Sequence, residues 1–455
     1  MLDHPRTSGT LRFRLPALLV AVVAACSPPR PASREPDLRP DVVLILIDTF
    51  RPDHLGFNGY KRRTAPFLED LMARSTVFRR AWSTSSWTAP ATSSVFTSLY
   101  PTRHGVTTGF LVHRRQAESF RRATGHKITL NRLPASMETL PELLHAAGYA
   151  TYGVATNINI GDEIGFDRGF DRFSRHNGRV AAKVARQLGR WRRRMLASKP
   201  YFLYLHFDDV HAPYEPRSPW YEDEGEELAR TVSAYDSEIS YLDQVLAGLY
   251  RDFGWDRSTL LVVVSDHGEE LGERGRFGHP FSLFNELLQV LLVFSGEDLG
   301  IPGQIADADT SLIDVLPTIL DLVGVPRPAD RDGSSLAPFL RSEPRAVTSE
   351  LADRTLFAHR VDPRGSNGPA DRQLWAAVHR PWKLIDHPGG RQLFHIERDP
   401  GELRNQIRTR PRIAAKLARE LATFRAAGGH RPAEAREIEL DPEILERLES
   451  LGYVQ

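Results

Sequence analysis

Three uninterrupted aliphatic runs constrain this chain more than any other feature, because each stops at ionisable side chains. Val42-Val43-Leu44-Ile45-Leu46-Ile47 ends at Asp48. Leu260-Leu261-Val262-Val263-Val264-Ser265 ends at Asp266-His267-Gly268. Tyr201-Phe202-Leu203-Tyr204-Leu205-His206-Phe207 ends near Asp208 and His211. A strand with one wet face alternates polar and apolar residues. Runs without alternation belong to strands buried on both faces, the pattern of a parallel sheet covered by helices. Helical periodicity between the runs, at Leu140 to Ala147 and Ser233 to Leu249, supplies such covers. The fold class is therefore α/β, with a mostly parallel central sheet and helices on both faces. Ligand groups of such sheets gather at the carboxyl ends of the strands, where all three polar clusters fall.

The texture changes at about residue 346. Leu374-Trp375-Ala376-Ala377-Val378, Trp382-Lys383-Leu384-Ile385 and Gln392-Leu393-Phe394-His395-Ile396 read as short strands with turns between them, a small antiparallel subdomain over 346–410. The tail, 411–455, reads as helix over Ile413 to Phe424 and Pro442 to Leu451, with Asp441 as N-cap before Pro442. The main domain then spans 41–345.

The N-terminus reads as an address. Arg6, Arg12 and Arg14 precede the apolar run Leu15 to Ala25, which is too short for an ordinary transmembrane helix and suits a signal peptide. Val23-Ala24-Ala25-Cys26 resembles a bacterial lipobox, so residues 1–26 are expected to be a lipoprotein signal. Lipidated Cys26 would then tether an exported protein to the cell envelope through the Pro- and Arg-rich segment 27–40. Cys26 is the one cysteine of 455 residues, which excludes an internal disulfide. The formal net charge of +1 argues against a nucleic-acid partner. The one dense basic cluster, Arg190, Arg192, Arg193 and Arg194, falls among apolar residues at helical spacing (Val180, Val184, Leu188, Trp191, Met195) and reads as a solvated helix face.

Asp48, Asp266 and His267 offer two carboxylates and an imidazole at strand ends. Such a set suits one divalent metal, and calcium, magnesium, manganese and zinc all fit it. Thr88 stands two residues before Pro90, and Ala91 to Thr97 reads as a short helix with Thr88 at its cap. Free N–H groups at a helix start bind phosphate or sulfate.

These blocks resemble the sulfatase family of the alkaline phosphatase superfamily. Asp48 to Gly56 resembles its first metal block, and Ser86 to Thr92 with Tyr100 to Gly105 its nucleophile segment. Gly165 to Asp171 is a landmark, Asp209 to Tyr214 carries a substrate-binding His, and Ser265 to Glu269 resembles the second metal block. Gly278-His279-Pro280, Lys383-Leu384-Ile385, Leu393-Phe394 and Asp399-Pro400 complete the series. The resemblance covers roughly 41–405. It implies an alkaline-phosphatase-like fold and a metal-dependent ester hydrolase. The implied metal ligands are Asp48, Asp266, His267 and Thr88. Thr88 is also the implied nucleophile, and His211 and His279 would bind the transferring group or protonate the leaving oxygen. Glu286 is a candidate to orient His279.

The chain departs from the family at three points. Thr49 replaces the second Asp of the first block, with Asp53 as a possible substitute ligand. Thr88 replaces the Cys or Ser that most sulfatases oxidise to formylglycine. Thr92 replaces the motif's Arg, and the family Lys after Gly148-Tyr149 is not evident, leaving His104, Arg103 and Asn157 as compensating candidates. A formylglycine hydrate expels sulfate by breaking its own C–O bond. A Thr hydroxyl has no second oxygen on that carbon, whereas a phosphorylated Thr is relieved by attack at phosphorus. A phosphate or phosphonate ester of a small molecule, glycan or lipid is therefore the preferred substrate class. The alternatives are a phosphoryl-group transferase acting on envelope lipids or glycans, and a catalytically dead sulfatase-like binding protein.

Overall fold

Alternate side chains of the first strand feed two separate cores. Val42, Leu44 and Leu46 enter one and Val43, Ile45 and Ile47 the other, all buried. The computed structural model describes residues 39–107, 109, 127–178, 180–279, 282–341, 351, 353–361, 373–427 and 434–439. Cys26, most of the tether and the expected helix at Pro442 to Leu451 lie outside them.

In chain order the strands are β1 (Val42–Ile47), β2 (Thr76–Trp82), β3 (Lys127–Arg132), β4 (Ala150–Ala155), β5 (Arg172–Arg175), β6 (Tyr201–Phe207), β7 (Leu260–Ser265), β8 (Glu270–Leu271), β9 (Phe277–Gly278), β10 (Gln289–Val290), β11 (Leu292–Ser295) and β12 (Gln304–Ser311). They are followed by β13 (Leu356–Val361), β14 (Gln373–His379), β15 (Trp382–His387), β16 (Gly390–His395) and β17 (Glu434–Glu439). The large sheet runs β10-β2-β11-β7-β1-β6-β4-β5, with β12 added against β2. β5, β4, β6, β1 and β7 are mutually parallel, while β11 runs antiparallel between β7 and β2. One face is covered by residues of the helices Thr88–Thr97, Leu140–Ala146 and Val315–Leu322. The other is covered by Pro66–Met72, Ala181–Ala197 and Glu227–Phe253. This is the expected α/β sandwich.

Register positions the site. Ile47 of β1 lies opposite Phe207 of β6 and Ser265 of β7. The residues that follow, Asp48, Asp208 and Asp266, therefore leave the sheet at one level on three neighbouring strands.

β13 to β16 form an antiparallel sheet. Ala376, Val378, Ile385 and Phe394 pack against Trp82, Leu283, Phe284 and Leu288 of the main domain. Trp375, Ala377, Leu384 and Leu393 lie under Ala414, Leu417 and Leu421 of the helix Pro411–Ala427. A fully buried pair, Lys383 with Glu402 at 2.9 Å, joins this sheet to Asn285, whose Oδ1 accepts from Lys383 at 2.9 Å. The tail departs from the all-helical expectation. After the helix ends at Ala427, Glu434–Glu439 forms β17, antiparallel to β3. Gly428, Gly429 and Pro432 break the helical pattern, and the segment beyond them takes its backbone partners from another strand.

Candidate active site

Three buried ligand atoms converge without partners at the carboxyl end of the sheet. His267 Nε2 lies 3.7 Å from Asp48 Oδ1 and 3.6 Å from Asp266 Oδ2, and none of the three has a hydrogen-bond partner. Their other polar atoms are tied down. Asp266 Oδ1 accepts the N–H groups of Thr49 (3.2 Å) and His267 (2.7 Å), and His267 Nδ1 faces the Gly268 carbonyl at 2.9 Å. That contact keeps the proton on Nδ1 and the Nε2 lone pair toward the carboxylates, the usual orientation of a metal-binding imidazole. His206, in β6, adds a fourth group: its Nε2 stands 3.7 Å from Asp48 Oδ2, and Asp48, His206 and Asp266 can share one ion.

The electrostatics fit a cation. Burial pushes the Asp48 carboxyl up, but His211, His267, His206 and His279 outweigh it and bring the group down to about 2. Burial, then the Asp48 charge, push Asp266 well above the carboxylate range. Burial and His279 hold the His267 imidazole down to about 3, neutral and able to ligate. Two buried carboxylates facing one another ionise together at low cost only beside a positive ion.

The helix Thr88–Thr97 aims its N-terminus at this cluster, and all ten of its residues are buried. The N-cap is Trp87, and no side chain caps the helix. Thr88 is thus the first helical residue rather than the cap expected from its sequence position. Its hydroxyl donates instead to Asp48 Oδ2, at 3.3 Å. Asn157 donates to the same oxygen at 2.7 Å and to Asp208 Oδ1 at 2.9 Å, so it bridges the two strand ends.

His211 and His279 stand side by side, ring centroids 5.0 Å apart, and the His279 ring is 4.7 Å from that of His267. Burial lowers the His211 pKa, but Asp208, Glu269 and Asp48 raise it to about 9. Glu269 is their common carboxylate. It meets His279 Nδ1 at 2.9 Å and accepts the Tyr214 hydroxyl.

The structure thus brings Asp48, Thr88, His211, Asp266, His267 and His279 together. Other candidates go elsewhere. Glu286 pairs with Arg274 rather than orienting His279, because Glu269 already occupies that position. Asp53 pairs with Arg51 at 2.8 Å. Arg103 pairs with Asp330 and Asp332, and buried His104 faces Ser94 at 3.2 Å. Thr49 turns its hydroxyl to the Val210 carbonyl at 3.1 Å, with a φ of 53°. Thr92 is fully buried in the helix.

His206, Glu269 and Arg360 were not singled out from sequence. Arg360, on β13, donates to Ser86 Oγ at 3.0 Å and to the His279 carbonyl at 2.6 Å, and lies over the Trp87 ring at 4.3 Å. Glu269 follows Asp266-His267-Gly268 directly, which is a usable signal. Nothing around Arg360 in sequence points to the site.

A sheet whose strand ends carry a carboxylate and imidazole cluster, opposite a helix N-terminus bearing a hydroxyl, is the frame of the alkaline-phosphatase-like fold. The family model for sulfatases matches residues 40–325, and the chain belongs to the sulfatase family. It is 26% identical over 245 residues to the Delta 4,5-hexuronate-2-O-sulfatase of Bacteroides thetaiotaomicron. That match spans 51% of this chain and 48%, about half, of the relative's length. The fold is similar to a 2-O GAG sulfatase (TM-score 0.69, 17% identity, 89% of this chain and 96% of that one). It is also similar to the phosphonate monoester hydrolase of Silicibacter pomeroyi (TM-score 0.66, 18% identity, 89% and 100%).

Proposed function

We infer that this chain is a metal-dependent hydrolase of phosphate or phosphonate esters that uses unmodified Thr88 as its nucleophile. The observation that carries the reading is the Thr88 hydroxyl, free of any capping role and 3.3 Å from Asp48 Oδ2. Asp48 Oδ1, Asp266 Oδ2 and His267 Nε2 would hold the metal, with Thr88 and His206 beside it. A bound divalent ion polarises ester oxygens and lowers the pKa of a neighbouring hydroxyl.

The residues divide the remaining work. The helix N-terminus and the imidazolium of His211 hold the anionic ester. Thr88 Oγ1 forms a bond to phosphorus while the phosphorus–leaving-group bond breaks. The hydrogen bond to Asp48 Oδ2 orients the hydroxyl, and its proton is lost to solvent as the new bond forms. His279 and His211 are placed to protonate the departing oxygen. Water then attacks phosphorus and gives up a proton, the P–Oγ1 bond breaks, and Oγ1 takes up a proton to restore the Thr88 hydroxyl. The imidazolium of His211 supplies positive charge at the site, and Asn157 braces its floor by bridging Asp48 and Asp208.

Two similar proteins frame the substrate question. One is described as a sulfatase and the other as a phosphonate monoester hydrolase. The hydroxyl at position 88 favours the second chemistry. Turnover of aryl sulfates, phosphomonoesters, phosphodiesters and phosphonates under several metals is the test, and faster aryl sulfate hydrolysis at equal metal loading rejects the phosphate half. The same reading includes export and lipid anchoring at Cys26, which metabolic lipid labelling of wild type and Cys26→Ser checks.

A further inference from the structure

The helix Ala181–Ala197 buries Ala181, Val184, Leu188 and Met195 against the sheet. At about 100° per residue, Lys183, Arg186, Arg190, Arg193 and Arg194 share the opposite face, and all five are exposed. Among the described residues none of the five forms an ion pair. Arg190 reaches only the neutral Gln187, at 3.5 Å, and nearby Asp252 interacts through its carbonyl with Arg192, which lies on the flank. Some surface arginines elsewhere in this protein are matched to carboxylates, such as Arg63 with Asp70 and Arg257 with Glu297, and others, such as Arg74 and Arg172, stand singly. This helix face gathers five exposed basic side chains, unmatched among the described residues, on one side of a single element.

Its place in the fold gives that charge a direction. The helix leads through Ser198 and Pro200 into β6, whose first N–H donates to Asp41 Oδ1 at 3.0 Å, and Lys199 pairs with Asp41 at 2.9 Å. Asp41 immediately precedes β1. The arginine-rich end of the helix therefore sits where the chain enters the sheet from its N-terminal side. Thr88, Asp48 and Asp266 lie at the other end of strands about 20 Å long. From Cys26 to Arg39 the chain reaches at most about 45 Å even when fully extended.

We propose that the Lys183, Arg186, Arg190, Arg193 and Arg194 face docks on an anionic lipid bilayer, holding the active-site end of the sheet away from the membrane. The lipid attachment proposed for Cys26 sets which membrane is near; the binding itself is a property of the helix and needs no lipidated cysteine.

The test uses the chain from Ser27 onward, which lacks the apolar leader and Cys26; among the described residues every core residue lies at or beyond Val42. Sedimentation with phosphatidylcholine vesicles, with and without phosphatidylglycerol, reads the binding. The protein is expected to bind the anionic vesicles only, and to be released at high salt. Each basic residue at such a surface contributes roughly fivefold to partitioning. The triple variant Arg190→Gln, Arg193→Gln, Arg194→Gln is expected to bind on the order of 100-fold more weakly. Its turnover of a small soluble ester and its thermal midpoint should match wild type. Equal binding by the triple variant, or equal binding to pure phosphatidylcholine, overturns the proposal. So does a wild type that binds neither vesicle, which makes the face merely solvated. Retention on a soluble polyanion without vesicle binding overturns it too, and assigns the face to a different partner.

Discussion

Oγ1 of Thr88 and Oδ2 of Asp48 come within 3.3 Å although they belong to different layers of the sandwich. Asp48 ends the central strand, and Thr88 begins a helix laid across the same sheet end. The contact leaves Thr88 without a capping bond, so its removal should cost the fold little. Thr88→Ala is expected to keep the thermal midpoint within about 1 kcal/mol of wild-type stability and to lose turnover by a factor of about 1,000 or more. Thr88→Ser should retain part of the activity, and mass spectrometry of rapidly quenched enzyme should find phosphate on residue 88. Thr88→Ala turning over at the wild-type rate rejects Thr88 as nucleophile.

Metal content is the second expectation. Asp266→Asn keeps the Oδ1 contacts to Thr49 and His267 but removes one of two facing charges. Purified wild type should carry about one divalent ion per chain in elemental analysis, and Asp266→Asn well below that. Chelation should lower the thermal midpoint of wild type more than that of the variant, because only wild type is left with two opposed buried carboxylates. Full metal content in Asp266→Asn argues that the ion sits elsewhere.

His211 sets a pH limit. Its pKa is raised to about 9 by Asp208, Glu269 and Asp48 against the opposing effect of burial. The imidazolium is therefore present through neutrality and is lost as pH rises through about 9. If it holds the anion or donates the proton, kcat/KM falls above that pH. His211→Asn should lower kcat/KM by roughly 100-fold or more and abolish the alkaline limb. An unchanged limb in the variant assigns it to another group.

A stability limb lies on the acid side. Buried His104 accepts the Val106 N–H at Nδ1, 3.1 Å, and faces Ser94 through Nε2. Burial lowers its pKa from 6.5 to about 3. Its neutral form is thus fully compatible with the fold above the unfolded pKa. Between about 6.5 and 3 the unfolded chain binds a proton that the folded chain does not, so stability falls as pH drops through that window. From pH 6 to 5, wild type should lose about 1 kcal/mol more unfolding free energy than His104→Gln, since Gln offers an acceptor and a donor in place of the two ring nitrogens. Parallel curves in urea titrations at the two pH values remove His104 from the account.

Legibility in the sequence followed the range of the forces involved. β1, β6 and β7 were readable because full burial on both faces writes itself as an aliphatic run, and strand ends then place Asp48, Asp266 and His267. Thr88 was readable from its motif, but its helical position was off by one residue because capping depends on backbone angles at Trp87. β13 and β17 are two of the strands that went unread. The first lies beyond the segments with strong alternation, and the second exists through pairing with a distant strand. Glu286 was preferred over Glu269 as the partner of His279 because sequence distance says little about which carboxylate faces a ring across a turn.

Arg360 is the site residue least visible in sequence and the one whose role geometry defines best. It is almost fully buried, with one Nη1 donating to both Ser86 Oγ and the His279 carbonyl and its guanidinium over Trp87. One side chain of the C-terminal sheet thus joins the turn that leads to Thr88, the proposed nucleophile, to the loop that carries His279. A planar cation with several fixed donors suits such a junction, and Lys replaces it poorly. Arg360→Met preserves much of the volume but removes the tie. Thr88 and His279 would then be held separately, and small misplacements of reacting groups are costly. The expected result is a fall in kcat of roughly 10- to 100-fold with a smaller change in KM, unchanged metal content, and partial recovery in Arg360→Lys. Circular dichroism and a thermal melt establish that the variant is folded. A folded Arg360→Met with wild-type kcat would show that the junction serves stability alone.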